Sequence, residues 1–154
     1  MRQLLSSIVM AVILATGILS IHGYVQTALA DKINCGLGVC IGTAGRDTMI
    51  GDDGRNQITG CGGDDVLIGN DGNDEILGDS FEFGSIGCHE GVTPGADKIE
   101  GGPGNDAISQ TFRGSIRSDG HKDIIDCGPG DDTSWINTSE DKDVAVNCET
   151  VHAG

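Results

Sequence analysis

An oxygen-bearing side chain recurs every nine residues at Asp47, Asn56, Asp65 and Asp74, and in the same phase at Asp97, Asp106, Asp123 and Asp132. Carboxylates and amide carbonyls are hard donors, so a regular array of them is suited to a hard divalent cation such as calcium. Paired carboxylates can also act as general acid and base. Asp64-Asp65 and Asp131-Asp132 have that look, but in a recurring turn each reads better as a ligand beside a neighbour. Solubility alone would enrich Asp, Asn and Gly without fixing a carboxylate at every sixth place.

The elements that carry these side chains are short. Four unbroken copies run from Gly42 to Leu77: GTAGRDTMI, GDDGRNQIT, GCGGDDVLI and GNDGNDEIL. Glycine opens each copy (Gly42, Gly51, Gly60, Gly69) and returns at the fourth place (Gly45, Gly54, Gly63, Gly72), and the eighth is Met49, Ile58, Leu67 or Ile76. After an interruption the phase returns in VTPGADKIE (Val92 to Glu100) and GGPGNDAIS (Gly101 to Ser109, with Gly101 and Gly104), then in degenerate copies from Ser118 and Cys127. Six places of glycine-rich turn, where positive φ is permitted, followed by three places of alternating strand describe one coil of a parallel β-solenoid. The eighth place points inward.

These residues resemble the RTX, or hemolysin-type, calcium-binding repeat, whose pattern G-G-x-G-x-D-x-U-x fits Gly101 to Ser109 at every specified place. The resemblance covers about half the chain and implies an all-β fold, a right-handed parallel β-roll with two nonamers per turn. It further implies calcium held by the sixth-place side chains and by backbone carbonyls of the turn glycines, with Asp47 facing Asp65 and Asn56 facing Asp74. Energetics points the same way. A glycine-rich nonamer is costly to order, and one inward aliphatic side chain returns little of that cost, so metal binding would have to supply folding energy.

Charge agrees. The 154 residues carry 9 Lys and Arg against 24 Asp and Glu, a net charge of −15. Such a polyanion repels nucleic acid and anionic membrane surfaces, and divalent cations relieve its self-repulsion. Aromatic residues at 3% leave no material for a conventional globular core.

Residues 1–30 read as an export signal: Arg2, an apolar stretch from Leu4 to Ile21, and Ala28-Leu29-Ala30 before a cleavage point. An uncleaved membrane anchor is the alternative reading. All six cysteines follow that point, and an even number in an exported chain argues for disulfides. Sequence proximity favours Cys35 with Cys40, Cys61 with Cys88 and Cys127 with Cys148, although six cysteines leave many connectivities open. The last pair gains support from resemblance, because DCGPGDDT…DVAVNCETV is similar to a terminal segment of secreted calcium-repeat proteins.

The expected organisation is a leader (1–30), an N-terminal cap (31–41), a first repeat block (42–78), an insertion (79–91), a second, degenerate block (92–135) and a C-terminal cap (136–154). Caps are expected because end coils expose unpaired strand edges. Phe83 falls where the next sixth-place carboxylate is due, so the first ladder is expected to stop there, with Phe81, Phe83 and His89 on a surface loop or covering the core edge. His121 stands at a fourth place and is expected as an exposed turn residue. In the C-terminal cap, Val144, Val146, Cys148 and Val151 alternate as a capping strand would.

Catalytic signatures are missing. His89-Glu90 begins the zinc-protease pattern H-E-x-x-H, but Thr93 stands where the second His is required. No serine sits in G-x-S-x-G, and no G-K-[ST] follows the glycines. Asn137-Thr138-Ser139 is a glycosylation sequon. The chain is therefore expected to be a non-enzymatic, calcium-binding protein, secreted or at the cell surface, with a structural or adhesive role toward surface or matrix components. An accessory module of a secreted enzyme or toxin system is the alternative, as is a calcium-dependent carbohydrate or ice binder. The seventh places Thr48, Gln57, Val66, Glu75, Lys98 and Ala107 form no uniform array for the last of these.

Overall fold

The computed structural model describes residues 31–36, 38–79, 88, 92–111 and 115–154. The expected leader, and Phe81, Phe83 and His89 of the expected insertion, lie outside them. Each nonamer folds as expected, a turn followed by a strand of three to six residues. In chain order the strands are β1 (Asp31–Asn34), β2 (Gly38–Ile41), β3 (Asp47–Ile50), β4 (Asn56–Cys61), β5 (Val66–Ile68) and β6 (Glu75–Asp79). They continue as β7 (Lys98–Glu100), β8 (Ala107–Ser109), β9 (Ile124–Asp126), β10 (Thr133–Ile136), β11 (Val144–Val146) and β12 (Thr150–Ala153). Odd-numbered strands stack as one six-stranded parallel sheet and even-numbered strands as the other. Two nonamers thus complete one coil, and the described residues form an all-strand parallel β-roll.

Register makes the core a pair of columns. Ile33, Met49, Leu67, Ile99, Ile125 and Ala145 pair in succession along the odd sheet. Cys40, Ile58, Ile76, Ile108, Ser134 and Val151 do so along the even sheet. From Met49 to Ile125 and from Ile58 to Ile108 these side chains are completely buried. Alternation in a strand places only the eighth residue inward, so each coil contributes two core side chains.

The ends differ from expectation. Residues 31–41 supply β1 and β2, which pair with β3 and β4 as an additional coil of the same roll. At the other end the inward residue of β11 is Ala145, paired with Ile125, while Val144 and Val146 point outward and are exposed. Val151 is exposed as well, because no strand follows β12 in its sheet. Among the described residues no helix is long and apolar enough to cross a membrane.

Three disulfides pin this thin core. Cys35 is bonded to Cys40, Cys61 to Cys88 and Cys127 to Cys148, with Cα separations of 5.5, 5.6 and 5.2 Å, well within the range disulfides span. Cys127–Cys148 ties the turn before β10 to the one before β12, next to the column position where Ser134 replaces an aliphatic residue. Crosslinking across 21 residues is worth about 3 kcal/mol in the chain-entropy model. The double variant Cys127→Ser, Cys148→Ser should therefore lose roughly that much stability in denaturant melts, with β10–β12 fraying first under hydrogen exchange. Uniform loss of protection along the whole roll would contradict a local staple.

Candidate metal centre

The sixth-place side chains sit one residue before each strand or at its first residue, where the turn hands the chain to the sheet, and register stacks them in two columns. In the first, the Asp47 amide donates to Asp65 Oδ1 at 2.7 Å, the Asp65 amide to Asp97 Oδ1 at 2.9 Å, and the Asp97 amide to Asp123 Oδ1 at 2.8 Å. In the second, the Asn56 amide donates to Asp74 Oδ1 at 2.8 Å, Asp74 to Asp106 at 2.8 Å and Asp106 to Asp132 at 2.7 Å. The expected facings of Asp47 with Asp65 and Asn56 with Asp74 are thus present as amide-to-carboxylate contacts. Both columns end on residues that the sequence reading missed. The Asp123 amide donates to Asp143 Oδ1 at 3.0 Å, and the Asp132 amide to Glu149 Oε2 at 2.9 Å. A carboxylate immediately ahead of Val144-Ala145-Val146 and of Thr150-Val151 was the available signal.

The expected break at Phe83 does not occur. Asp97 follows Asp65 directly in the column, its Oδ1 accepting the Asp65 amide. Gly78 opens the coil of Asp97: a Cβ there would strike Asp97 Oδ2 and the Gln110 carbonyl, as a Cβ on Gly60 would strike Asp65 Oδ2 and the Gly78 carbonyl. The insertion therefore parts Gly78-Asp79 from Gly95-Ala96-Asp97, and Val92 does not take the opening place. In the same way Gln110-Thr111, not Ser118, opens the coil that Asp123 completes, with the Asp79 amide donating to the Gln110 carbonyl at 2.7 Å. His121 is half-buried rather than exposed, its amide donating to Asp119 Oδ1 at 2.8 Å. Asn137 of the sequon is buried, with its side-chain amide committed to the Ile116 carbonyl at 3.1 Å.

Six aspartates of the columns spend one oxygen on an amide. The other oxygen, Oδ2 of Asp65, Asp74, Asp97, Asp106, Asp123 and Asp132, is buried with no hydrogen-bond partner. Four of these oxygens lie against opening glycines, where a carbonyl of the next coil converges: Asp65 Oδ2 with Gly78 O at Gly60, Asp74 Oδ2 with Gly101 O at Gly69, Asp97 Oδ2 with Gln110 O at Gly78, and Asp106 Oδ2 with Cys127 O at Gly101. Gly42 and Gly51 present the same cradle with Asp47 and Asn56, facing the carbonyls of Gly60 and Gly69. The fourth-place glycines stack backbone on backbone, with Gly63 against Gly45, Gly72 against Gly54 O and Gly104 against Gly72 O, so a side chain there would collide with the neighbouring coil. The first member of each column differs from the rest: Asp47 Oδ2 accepts the Thr43 amide at 2.6 Å and the Thr43 hydroxyl at 3.0 Å, while Asn56 Oδ1 accepts the Asp52 amide and its Nδ2 donates to Gly36 O and Asp52 Oδ1.

Buried carboxylate oxygens beside carbonyl oxygens repel one another unless a proton or a cation intervenes. Burial pushes Asp65 and Asp106 up to about 7, Asp123 to about 8 and Asp97 to about 10, with neighbouring carboxylates adding to the rise. Asp74 and Asp132 are raised for the same first reason. By contrast, the surface carboxylate Asp64 is lowered, by the Ala96 amide and then by Arg46. Among the described residues no three His, Cys, Asp or Glu side chains close on one point, so carbonyls must complete any shell. Carboxylate plus carbonyl oxygens are the donor set of calcium.

Comparison with known families decides the nature of the repeat: the RTX calcium-binding nonapeptide repeat matches in four copies over residues 41–76 and 93–109. The chain carries RTX calcium-binding repeats. The matched residues include the sixth places Asp47, Asn56, Asp65, Asp74, Asp97 and Asp106, whereas Asp123 and Asp132 continue the RTX columns beyond the match. No curated protein and no solved structure matches the chain.

A pH dependence follows for the metal-free RTX roll. A carboxyl group whose pKa is raised by folding favours the folded state fully below its unfolded value, about 4, and withdraws that support as pH rises through the folded value. Thermal melts in chelator should therefore show a midpoint falling from about pH 4 through 7 to 8, where Asp65, Asp106 and Asp123 ionise. A midpoint that holds level or rises over that interval would show that these oxygens are not buried and unpartnered.

Proposed function

We propose that this protein is an exported calcium-binding β-roll with a structural or adhesive role at the cell surface or in the extracellular matrix, folding as it loads calcium. The observation that carries the reading is the double column of buried, unpartnered carboxylate oxygens, four of them set against a carbonyl of the neighbouring coil. Asp47, Asp65, Asp97 and Asp123 would hold calcium on one edge of the roll, and Asn56, Asp74, Asp106 and Asp132 on the other. The opening glycines contribute carbonyls. Bound calcium supplies the positive charge that lets these carboxylates stay ionised inside the turns. The chain itself positions the donors: amides of one coil fix Oδ1 of the next, and glycine keeps Cβ atoms out of the cradle.

Export is supported by three disulfides, which persist in oxidising compartments. The affinity expected of an extracellular module, roughly 0.1 to 1 mM, would keep the roll loaded outside the cell and unloaded inside it. A structural or adhesive role is supported by the architecture, a rod with disulfide-pinned ends and no catalytic signature in its sequence.

Far-ultraviolet circular dichroism tests the metal dependence. The full chain should gain β signal between chelator and several millimolar calcium, and identical spectra would sink the reading. Site-specific variants separate the ligands. Asp65→Ala should raise the calcium midpoint several-fold, whereas Asn56→Ala should raise it less, since Asn56 spends its amide on Asp52 and Gly36. Equal shifts would contradict the assignment. For the surface role, chelator washing of intact cells should release the protein into the medium, and retention of all of it would argue against calcium-dependent attachment.

A further inference from the structure

Asp79 belongs to no sixth place, yet it is completely buried, and its Oδ1 has no hydrogen-bond partner. It sits where the first insertion leaves the roll, with Oδ2 accepting the Gly95 amide at 3.0 Å and its own amide donating to the Gln110 carbonyl at 2.7 Å. The next coil places Thr111 directly after Gln110. Thr111 is 1% exposed, and its Oγ1 is likewise unpartnered. Gly78, immediately before Asp79, packs against both the unpartnered Asp97 Oδ2 and the Gln110 carbonyl. Two carboxylates, one carbonyl and one hydroxyl therefore gather at a single step between coils.

We propose that this step holds a calcium site of its own, with Asp79 and Thr111 as ligands added to Asp97 and the Gln110 carbonyl. The site rests on the calcium reading above and deepens it. A regular step offers carboxylates from sixth places only, whereas this one adds a second buried carboxylate from the second place of the coil. Asp52, the second-place carboxylate of a regular repeat, shows the contrast: its Oδ1 accepts the Gly54 amide at 2.9 Å and the Asn56 side-chain amide at 3.1 Å. Asp119 and Asp123 strengthen the negative field at the step, Asp119 being the largest like charge acting on Asp79. More carboxylate charge on a rigid frame raises calcium affinity, so this is the tightest site of the roll.

Isothermal titration of the full chain with calcium, paired with native mass spectrometry for stoichiometry, tests the assignment. The unaltered chain should show a tight class of one ion ahead of the remaining ions. Asp79→Asn should weaken that class at least tenfold and leave the others in place, with Thr111→Val weakening it to a smaller degree and Asp52→Asn not at all. Thermal melts distinguish ligation from packing: Asp79→Asn should shrink the stabilisation gained on adding calcium without lowering the melting point of the metal-free chain at about pH 4, where the column carboxyls are protonated. Titrations of Asp79→Asn and Thr111→Val that both match the unaltered chain would overturn this site alone. An unaltered chain that takes up no calcium would overturn the general reading together with it. If Asp79→Asn does not fold, Thr111→Val decides, and an unchanged tight class in that variant rejects the site.

Discussion

The structure depends on how negative charge is accommodated in stacked turns. Each coil presses a carboxylate against the amide of the coil before it, and that hydrogen bond sets the vertical register. The same contact leaves the second oxygen of Asp65, Asp74, Asp97 and Asp106 buried beside a carbonyl. Desolvation makes the arrangement unfavourable for an ionised chain at neutral pH, and the carboxyl groups respond by holding protons well above their ordinary range. A divalent cation resolves the conflict without a proton, because oxygen donors fixed in register are what calcium requires. The amides fix the position of the carboxylates.

The thin core explains why this constraint dominates. Two inward side chains per coil form columns of Met, Ile and Leu, continuous in the middle and weak at the ends, where Ala145 and Ser134 stand in for larger residues. Disulfides lie where the columns thin out: Cys35–Cys40 at the first coil and Cys127–Cys148 at the last. Cys61–Cys88 anchors the first insertion to the second place of a regular repeat. Covalent bonds thus hold the ends, and charge neutralisation governs the interior.

Much of this was legible in the sequence because the physics is periodic. Glycine at the first and fourth places, a carboxylate at the sixth and an aliphatic residue at the eighth each answer one geometric demand, and the demand repeats with every coil. What escaped reading was the phase across interruptions. Val92 and Ser118 look like opening residues by counting back from Asp97 and Asp123, but Gly78 and Gln110 hold the opening places, because the interruptions fall inside turns whose flanking strands keep their register. For the same reason Asp79 looked like the start of a loop, and Asp143 and Glu149 were hidden by a terminal segment whose valines suggested the wrong inward face. Burial of Asn137 was invisible too, since a sequon records nothing about the Ile116 carbonyl that claims its amide.

The central claim, that calcium rather than the polypeptide alone holds the two columns together, is tested most directly at the amides that form them. Native-state hydrogen exchange of the full chain, read at Asp47, Asn56, Asp65, Asp74, Asp97 and Asp106 in chelator and in saturating calcium at neutral pH, reports each rung separately. The account predicts rapid exchange at all six without calcium and strong, simultaneous protection with it. Equal protection in chelator and in calcium would contradict it, because the columns would then stand without the metal.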